Sequence, residues 1–203
     1  MLAVRSGFDA LPEVDQDQRV LIHQMSWWQY ETVLAVRGDN PVPRIAYAHG
    51  TIELMSPCHR HEERKSLLGR LVEAYTFERG IYFVPWGSTT LENQSLEKGA
   101  EPDESYAFSK GAKGPDLAIE AVLTSGGLDK LDLYARLGVP EVWFWFESGV
   151  EAYRLEDGRY RQIEESSVLP GLRIEVIDEY ARREDVIEAV MAFRRALSAS
   201  KDD

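Results

Sequence analysis

"GPDLAIEAV", Gly114 to Val122, has the make-up of a short buried strand with two acids set into it. In an extended chain successive side chains point to opposite faces, so Leu117, Ile119, Ala121 and Leu123 share one face while Asp116, Ala118, Glu120 and Val122 share the other. The first face is core. The second carries two carboxylates with no lysine or arginine in the strand, and a half-buried charge is costly unless a partner from elsewhere offsets it. Asp116 and Glu120 cannot share one ion, because four residues of strand span roughly 13 Å, whereas oxygens on a single Mg²⁺ lie about 2.1 Å from it. A neighbouring strand stands only about 4.8 Å away. The preceding strand candidate places Asp103 in the same Pro-Asp setting, which makes Asp103 with Glu120 the better pair for a cation.

Working outward from this strand, the chain reads as an α/β protein. Upstream, "IYFVPW" (81–86) and a segment around "EPDESYAF" (101–108) are strand candidates, joined to "PDLAIEAVL" (115–123) by Gly-rich and polar turns. Before them, residues 59–79 put Leu68, Leu71, Val72 and Tyr75 on one helical stripe that stops at Gly80. Downstream, a helix is expected from about Gly127 to Leu137, closed by Gly138 and Pro140, and then "EVWFWF" (141–146) as a strand buried on both faces. The order is helix, three strands, helix, strand. Flanking it are a helix at 27–37 opened by a Ser26/Gln29 capping box, a hairpin turning at His49-Gly50, a second hairpin turning at Asp157-Gly158, and an amphipathic terminal helix in "REDVIEAVMAFRRALSA".

Composition narrows the function. At 203 residues and 44% hydrophobic, the chain suits a single domain over 21–197, with a loose arm at 1–20 and a charged tail at 198–203. Its single cysteine, Cys58, removes disulfide scaffolds and cysteine zinc sites and suits a reducing cytoplasm. No stretch approaches the roughly 20 apolar residues of a membrane span. A net charge of -12 argues against a protein that coats nucleic acid through a broad basic face. It leaves room for a nuclease, whose carboxylates hold divalent cations that in turn contact phosphate.

"EPD" at 101–103, sixteen intervening residues and then "EAV" at 120–122 resemble the PD-(D/E)XK nuclease superfamily, whose core order matches residues 59–146. The strings "GSTTL", "EPDESYAF" and "PDLAIEAVLTSGGLDKLDLYARLGVPEVWFW" are closely similar to the bacterial Uma-type family of restriction endonucleases, from about residue 25 to 180. The resemblance implies a restriction-endonuclease-like fold, an Mg²⁺ or Mn²⁺ cofactor held by Asp103 and Glu120, and DNA as substrate. A homodimer is expected because a duplex has two strands to cut. Where the superfamily has lysine two residues after the glutamate, this chain has Val122, and the resemblance moves that role to Lys130 in the following helix.

The chemistry suits these residue types. Phosphodiester hydrolysis needs a water activated near neutral pH and stabilisation of charge growing on the phosphoryl oxygens, which a carboxylate-held divalent ion supplies. Lys130 would position or deprotonate the water, or face the phosphate as a positive charge. Other candidates carry competing structural readings: Asp116 as a turn cap, His61 as a capping histidine or one near phosphate, and Glu73 as a solvated acid or the first-helix acid of the site. "HRHEERK" reads as a salt-bridged helix start before a phosphate contact, and Trp143 and Trp145 as core before base stacking. The alternative to a nuclease is a catalytically silent nucleic-acid or protein interaction module on the same fold.

Overall fold

In the computed structural model the described residues are 16–123 and 127–199. They begin with β1 (Gln18–His23), α1 (Trp27–Arg37), the hairpin of β2 (Arg44–Ala48) and β3 (Thr51–Ser56), and the long helix α2 (His59–Arg79). Short strands follow: β4 (Val84–Pro85), β5 (Leu91–Asn93), β6 (Lys98–Ala100) and β7 (Glu104–Ala107). Then come β8 (Leu117–Ala121), α3 (Lys130–Leu137), β9 (Glu141–Phe146), the hairpin of β10 (Gly149–Glu156) and β11 (Arg159–Ile163), α4 (Ile174–Ala181) and α5 (Val186–Ala199). The fold is α/β, and α2, β4, β7, β8, α3 and β9 reproduce the expected core order of helix, three strands, helix, strand.

Local chemistry explains most boundaries. The Ser26/Gln29 capping box forms in full at the start of α1. His49 and Gly50 both take positive φ, as do Asp157 and Gly158, the backbone that two-residue hairpin turns require. Helix α3 starts at Lys130 and not near Gly127, because the Asp129 side chain accepts from the Asp132 N–H and sets the first turn there. The strand expected over 81–86 shrinks to Val84–Pro85 at the sheet edge, where proline offers no N–H to continue the ladder.

Several elements and boundaries depart from the sequence reading. Gln18 to Val20, taken as part of the loose arm, form the first half of β1. β5 and β6 were not anticipated, since three-residue strands carry no periodicity to read, and neither was the eight-residue helix α4. α5 runs through Ser198 and Ala199, as the terminal-helix string implies, so these two residues belong to the domain and not to the tail. The rest of the expected arm, residues 1–15, and of the tail, residues 200–203, lies outside the described residues.

Two sheets result. The first is antiparallel, in the order β1-β3-β2-β6-β5; the second runs β11-β10-β9-β8-β7-β4, with β8 and β9 its parallel pair. One face of the second sheet, carrying Leu117, Ile119, Trp143 and Trp145, packs under α2, α4 and α5. Its other face, carrying Ala118, Val142 and Phe144, meets Leu133 and Tyr134 of α3 and Ala46 and Ala48 of the first sheet. Strand β9 is therefore covered on both sides, and Trp143 and Trp145 are core. Alternation in β2 turns Ile45 and Tyr47 the opposite way, onto Trp27 and Tyr30 of α1. The two sheets thus face each other across the layer that holds α3.

Tyr30 is completely buried and stacks on Tyr47 with ring centroids 5.2 Å apart. Gly99 of β6 lies so close beneath it that an added Cβ would run into the phenol oxygen and stand 2.5 Å from Cζ. Gly99→Ala should destabilise the protein by about 1–3 kcal/mol, the usual cost of overpacking a filled core. Urea unfolding measures this, and a midpoint equal to wild type would contradict the packing described.

Candidate active site

Glu120 sits in the middle of the layer between the sheets and is 4% exposed. Two donors from α3 compensate its charge, the Lys130 Nζ at 3.2 Å and the Tyr134 hydroxyl in a short hydrogen bond. Both converge on Oε1, and no donor among the described residues reaches Oε2. Lys130 and Tyr134 stand four residues apart on one helical face, so a single helix orientation delivers both. Burial, followed by the charge of Glu120, drives the Tyr134 hydroxyl well above its ordinary range, so it stays a proton donor.

A cavity of 240 Å³ opens beside this group. The second sheet contributes Glu120, Val122, Phe144 and Tyr153, α3 contributes Lys130, and the first sheet contributes Arg19, Glu53 and Met55. Val122, which stands at the usual lysine position of the strand, is a wall of this cavity, and Lys130 enters it from the helix instead. Glu53 is 3% exposed. Its Oε2 accepts from the Leu128 N–H at 2.7 Å and its Oε1 lies 3.5 Å from the Arg19 Nε.

Asp103 lies one residue before β7. Continuing the pairing of Glu104 with Ile119 sets it opposite Glu120. Its carboxylate reaches across to β8, where Oδ2 accepts from the Ala121 N–H at 2.7 Å. The same oxygen is 2.8 Å from the His61 Nε2, and Oδ1 pairs closely with Arg44. His61 in turn meets Asp17 at 2.9 Å through Nδ1. Asp17 also accepts from the Cys58 N–H at 3.0 Å, supplying the cap that Cys58 cannot provide for α2. Burial opposes the charge on Asp17, but the bonds from His61 and Cys58 outweigh it and hold its carboxyl below the ordinary range. Asp103 does not line the cavity. Among the described residues no group of three or more His, Cys, Asp or Glu side chains converges as a ready metal cluster.

The remaining candidates fall out by contact. Asp116 accepts from the Phe108 N–H at 2.7 Å, a turn cap. Arg60 pairs with Glu147, Lys65 with Glu62, and Arg64 donates to the Arg183 carbonyl, which bears out the salt-bridged helix start. Glu73 faces the other side of the second sheet, where it accepts from the Tyr106 hydroxyl at 3.3 Å beside Glu104. Sequence reasoning missed Glu53, Arg44 and Asp17. Glu53 carried the signal that singled out Glu120, an acid inside the apolar strand "TIELMS", but the other two meet the site only through long-range contacts.

Glu104 has no hydrogen bond or ion pair among the described residues. Burial pushes its carboxyl above the ordinary glutamate value of 4.5; Lys65 pulls it down, and the like charge of Glu73 adds to the rise. A carboxyl raised in the folded state penalises folding above its folded pKa, and the penalty vanishes below the unfolded value. Glu104→Gln should therefore raise the melting temperature at neutral pH, with the gain fading as pH falls toward 4.5 and gone below it. Melting curves of both proteins from acid to neutral pH check this; an offset that does not change with pH would refute it.

No helix of the described residues is long and apolar enough to cross a membrane. No curated protein matches the chain. A solved structure from Anabaena variabilis ATCC 29413, described as "a putative nuclease belonging to DUF820", is 14% identical, with a TM-score of 0.47 over 75% of this chain and 92% of that one. Residues 27–176 match the Uma2 family model, described as "Putative restriction endonuclease". That stretch holds every cavity residue named above except Arg19, together with the whole core order from α2 to β9, and by it the chain belongs to the Uma2 family.

Proposed function

We propose that the chain is a divalent-cation-dependent nuclease that hydrolyses phosphodiester bonds in DNA, with Glu120 and Lys130 at the reacting centre. The observation that carries this reading is the pairing of a buried carboxylate with a lysine at the wall of one cavity. Glu120 keeps an oxygen to which no donor among the described residues is bonded. Hard carboxylate oxygen is the donor type that Mg²⁺ and Mn²⁺ take, commonly from one or two side chains with substrate oxygens completing the shell. Such an ion would act as a Lewis acid, drawing off the charge that grows on the phosphoryl oxygens.

The chain's own groups do the rest. Tyr134 clamps Glu120 from the buried side and fixes its rotamer. Lys130, with its side chain 18% exposed, reaches both Glu120 and the cavity. From there it places a positive charge beside the bound phosphate and donates a hydrogen bond that positions the attacking water. A net charge of -12 makes free duplex DNA an unfavourable partner without cations, which agrees with cation-mediated contact. Cutting both strands of a duplex calls for two such sites, so a homodimer is part of the proposal.

Incubating the purified chain with DNA and RNA substrates in Mg²⁺ or Mn²⁺ tests the reading. DNA should be cleaved, chelation should stop the reaction, and Glu120→Gln and Lys130→Met should each slow it by roughly 10²–10⁴-fold. Undiminished cleavage by Glu120→Gln, or no cleavage of any substrate by wild type, would return the chain to the interaction-module reading.

A further inference from the structure

We infer that Glu53, and not Asp103, supplies the second carboxylate that faces the divalent cation together with Glu120. This rests on the nuclease reading above and identifies the ligand set of that same site. The argument is an accounting of carboxylate oxygens. Five acidic residues are buried among the described residues: Glu53, Glu101, Asp103, Glu120 and Glu141. Buried carboxylates need partners for both oxygens, and any oxygen left over calls for an explanation.

Two of the five are complete. Glu141 takes Trp143 Nε1 and the Ser166 hydroxyl on Oε1, and the backbone and hydroxyl of Ser167 on Oε2. Glu101 takes Arg37 and Thr90 on Oε1, and Arg37 with the Ile45 N–H on Oε2. Asp103 is filled on Oδ2 by His61 and the Ala121 N–H; its Oδ1 forms no hydrogen bond, but the Arg44 guanidinium lies against it as an ion pair, and the side chain has no exposed surface. A cation at Asp103 would have to displace the Arg44 guanidinium, a charge already in place.

Glu53 and Glu120 are also incomplete, and unlike Asp103 both line the same cavity. Glu120 Oε2 has no hydrogen bond among the described residues. Glu53 Oε1 has none either, since the Arg19 Nε at 3.5 Å is an ion-pair contact too long to be a good hydrogen bond. Glu53 is nonetheless fixed in place. The Leu128 N–H holds its Oε2, and the backbone at Gly127 comes so close that an added Cβ would strike that oxygen. Gly127 takes φ +103°, a conformation that glycine adopts without strain. One carboxylate thus comes from each sheet, each held by one oxygen and offering the other, which suits an ion that takes one or two carboxylates and leaves its remaining positions to water and substrate. Asp103 becomes a positioning residue that ties the end of β8, beside Glu120, to Arg44 of β2 and His61 of α2.

Calorimetric titration of Mn²⁺ into the full chain, wild type and variants, decides between the two assignments, with circular dichroism confirming that each is folded. Glu53→Gln keeps the acceptor for Leu128 and should weaken Mn²⁺ binding by about 100-fold, the upper end of what losing even an outer partner costs. Asp103→Asn should bind Mn²⁺ with wild-type affinity while melting at a lower temperature. Wild-type affinity in Glu53→Gln, or lost affinity in a folded Asp103→Asn, would overturn the assignment and leave the nuclease reading standing. A wild type that takes up no Mn²⁺ would remove both. Should Asp103→Asn fail to fold, the Glu53→Gln comparison decides alone.

Discussion

The structure depends on the compensation of one charge, the carboxylate of Glu120 in a strand that is buried on both faces. Strand β8 forms the parallel pair with β9 at the centre of the second sheet, and its neighbours on both faces are apolar. A bare charge there would cost several kcal/mol. Helix α3 removes most of that penalty by bringing Lys130 and Tyr134 to the same oxygen. In doing so it sets its own angle against the sheet and leaves the adjoining space open. The cavity and the stability of the strand are therefore two consequences of one contact.

A second polar network secures the same end of the sheet from the other direction. Asp17, His61, Asp103 and Arg44 come from the segment before β1, the first turn of α2, the approach to β7 and the start of β2. None of them is a near neighbour in sequence, and all are buried or nearly so. Because a half-satisfied polar cluster is worse than an apolar one, the network specifies how four segments meet. The Ala121 N–H binds Asp103 and carries that specification to the residue next to Glu120. Glu141 does comparable work at the start of β9, anchoring Ser166 and Ser167 with all of its acceptor sites filled. Saturation of that kind marks an acid as architectural, and an oxygen left over beside a cavity marks it as chemical.

Much of this was legible in the residues. Alternation in "PDLAIEAVL" separated the core face from the acid face, helical spacing located α2 and α3, and the turn chemistry of His49-Gly50 and Asp157-Gly158 set both hairpins. Glu120 was visible as an acid out of place in an apolar strand, and Lys130 as a lysine one helical turn from Tyr134. Glu53 was equally visible on that criterion, yet a lone acid in a hairpin strand reads as a solvated face until something is known to cover it. Strands β5 and β6 left no trace, because three residues hold too little pattern to separate from a loop.

The amino-acid order alone determined the element types, the core sequence of helix, three strands, helix and strand, and the presence of a carboxylate that the strand itself could not neutralise. These are local properties, set by periodicities of two and 3.6 residues and by turn residues acting over a few bonds. Which acids share a space was decided only in three dimensions, when the inner face of the first sheet came to lie opposite the inner face of the second and Glu53 and Glu120 came to line one cavity. The physical reason is that side-chain direction is written into each strand, whereas the partner across a gap depends on how separate layers stack, and no spacing along the chain encodes that distance.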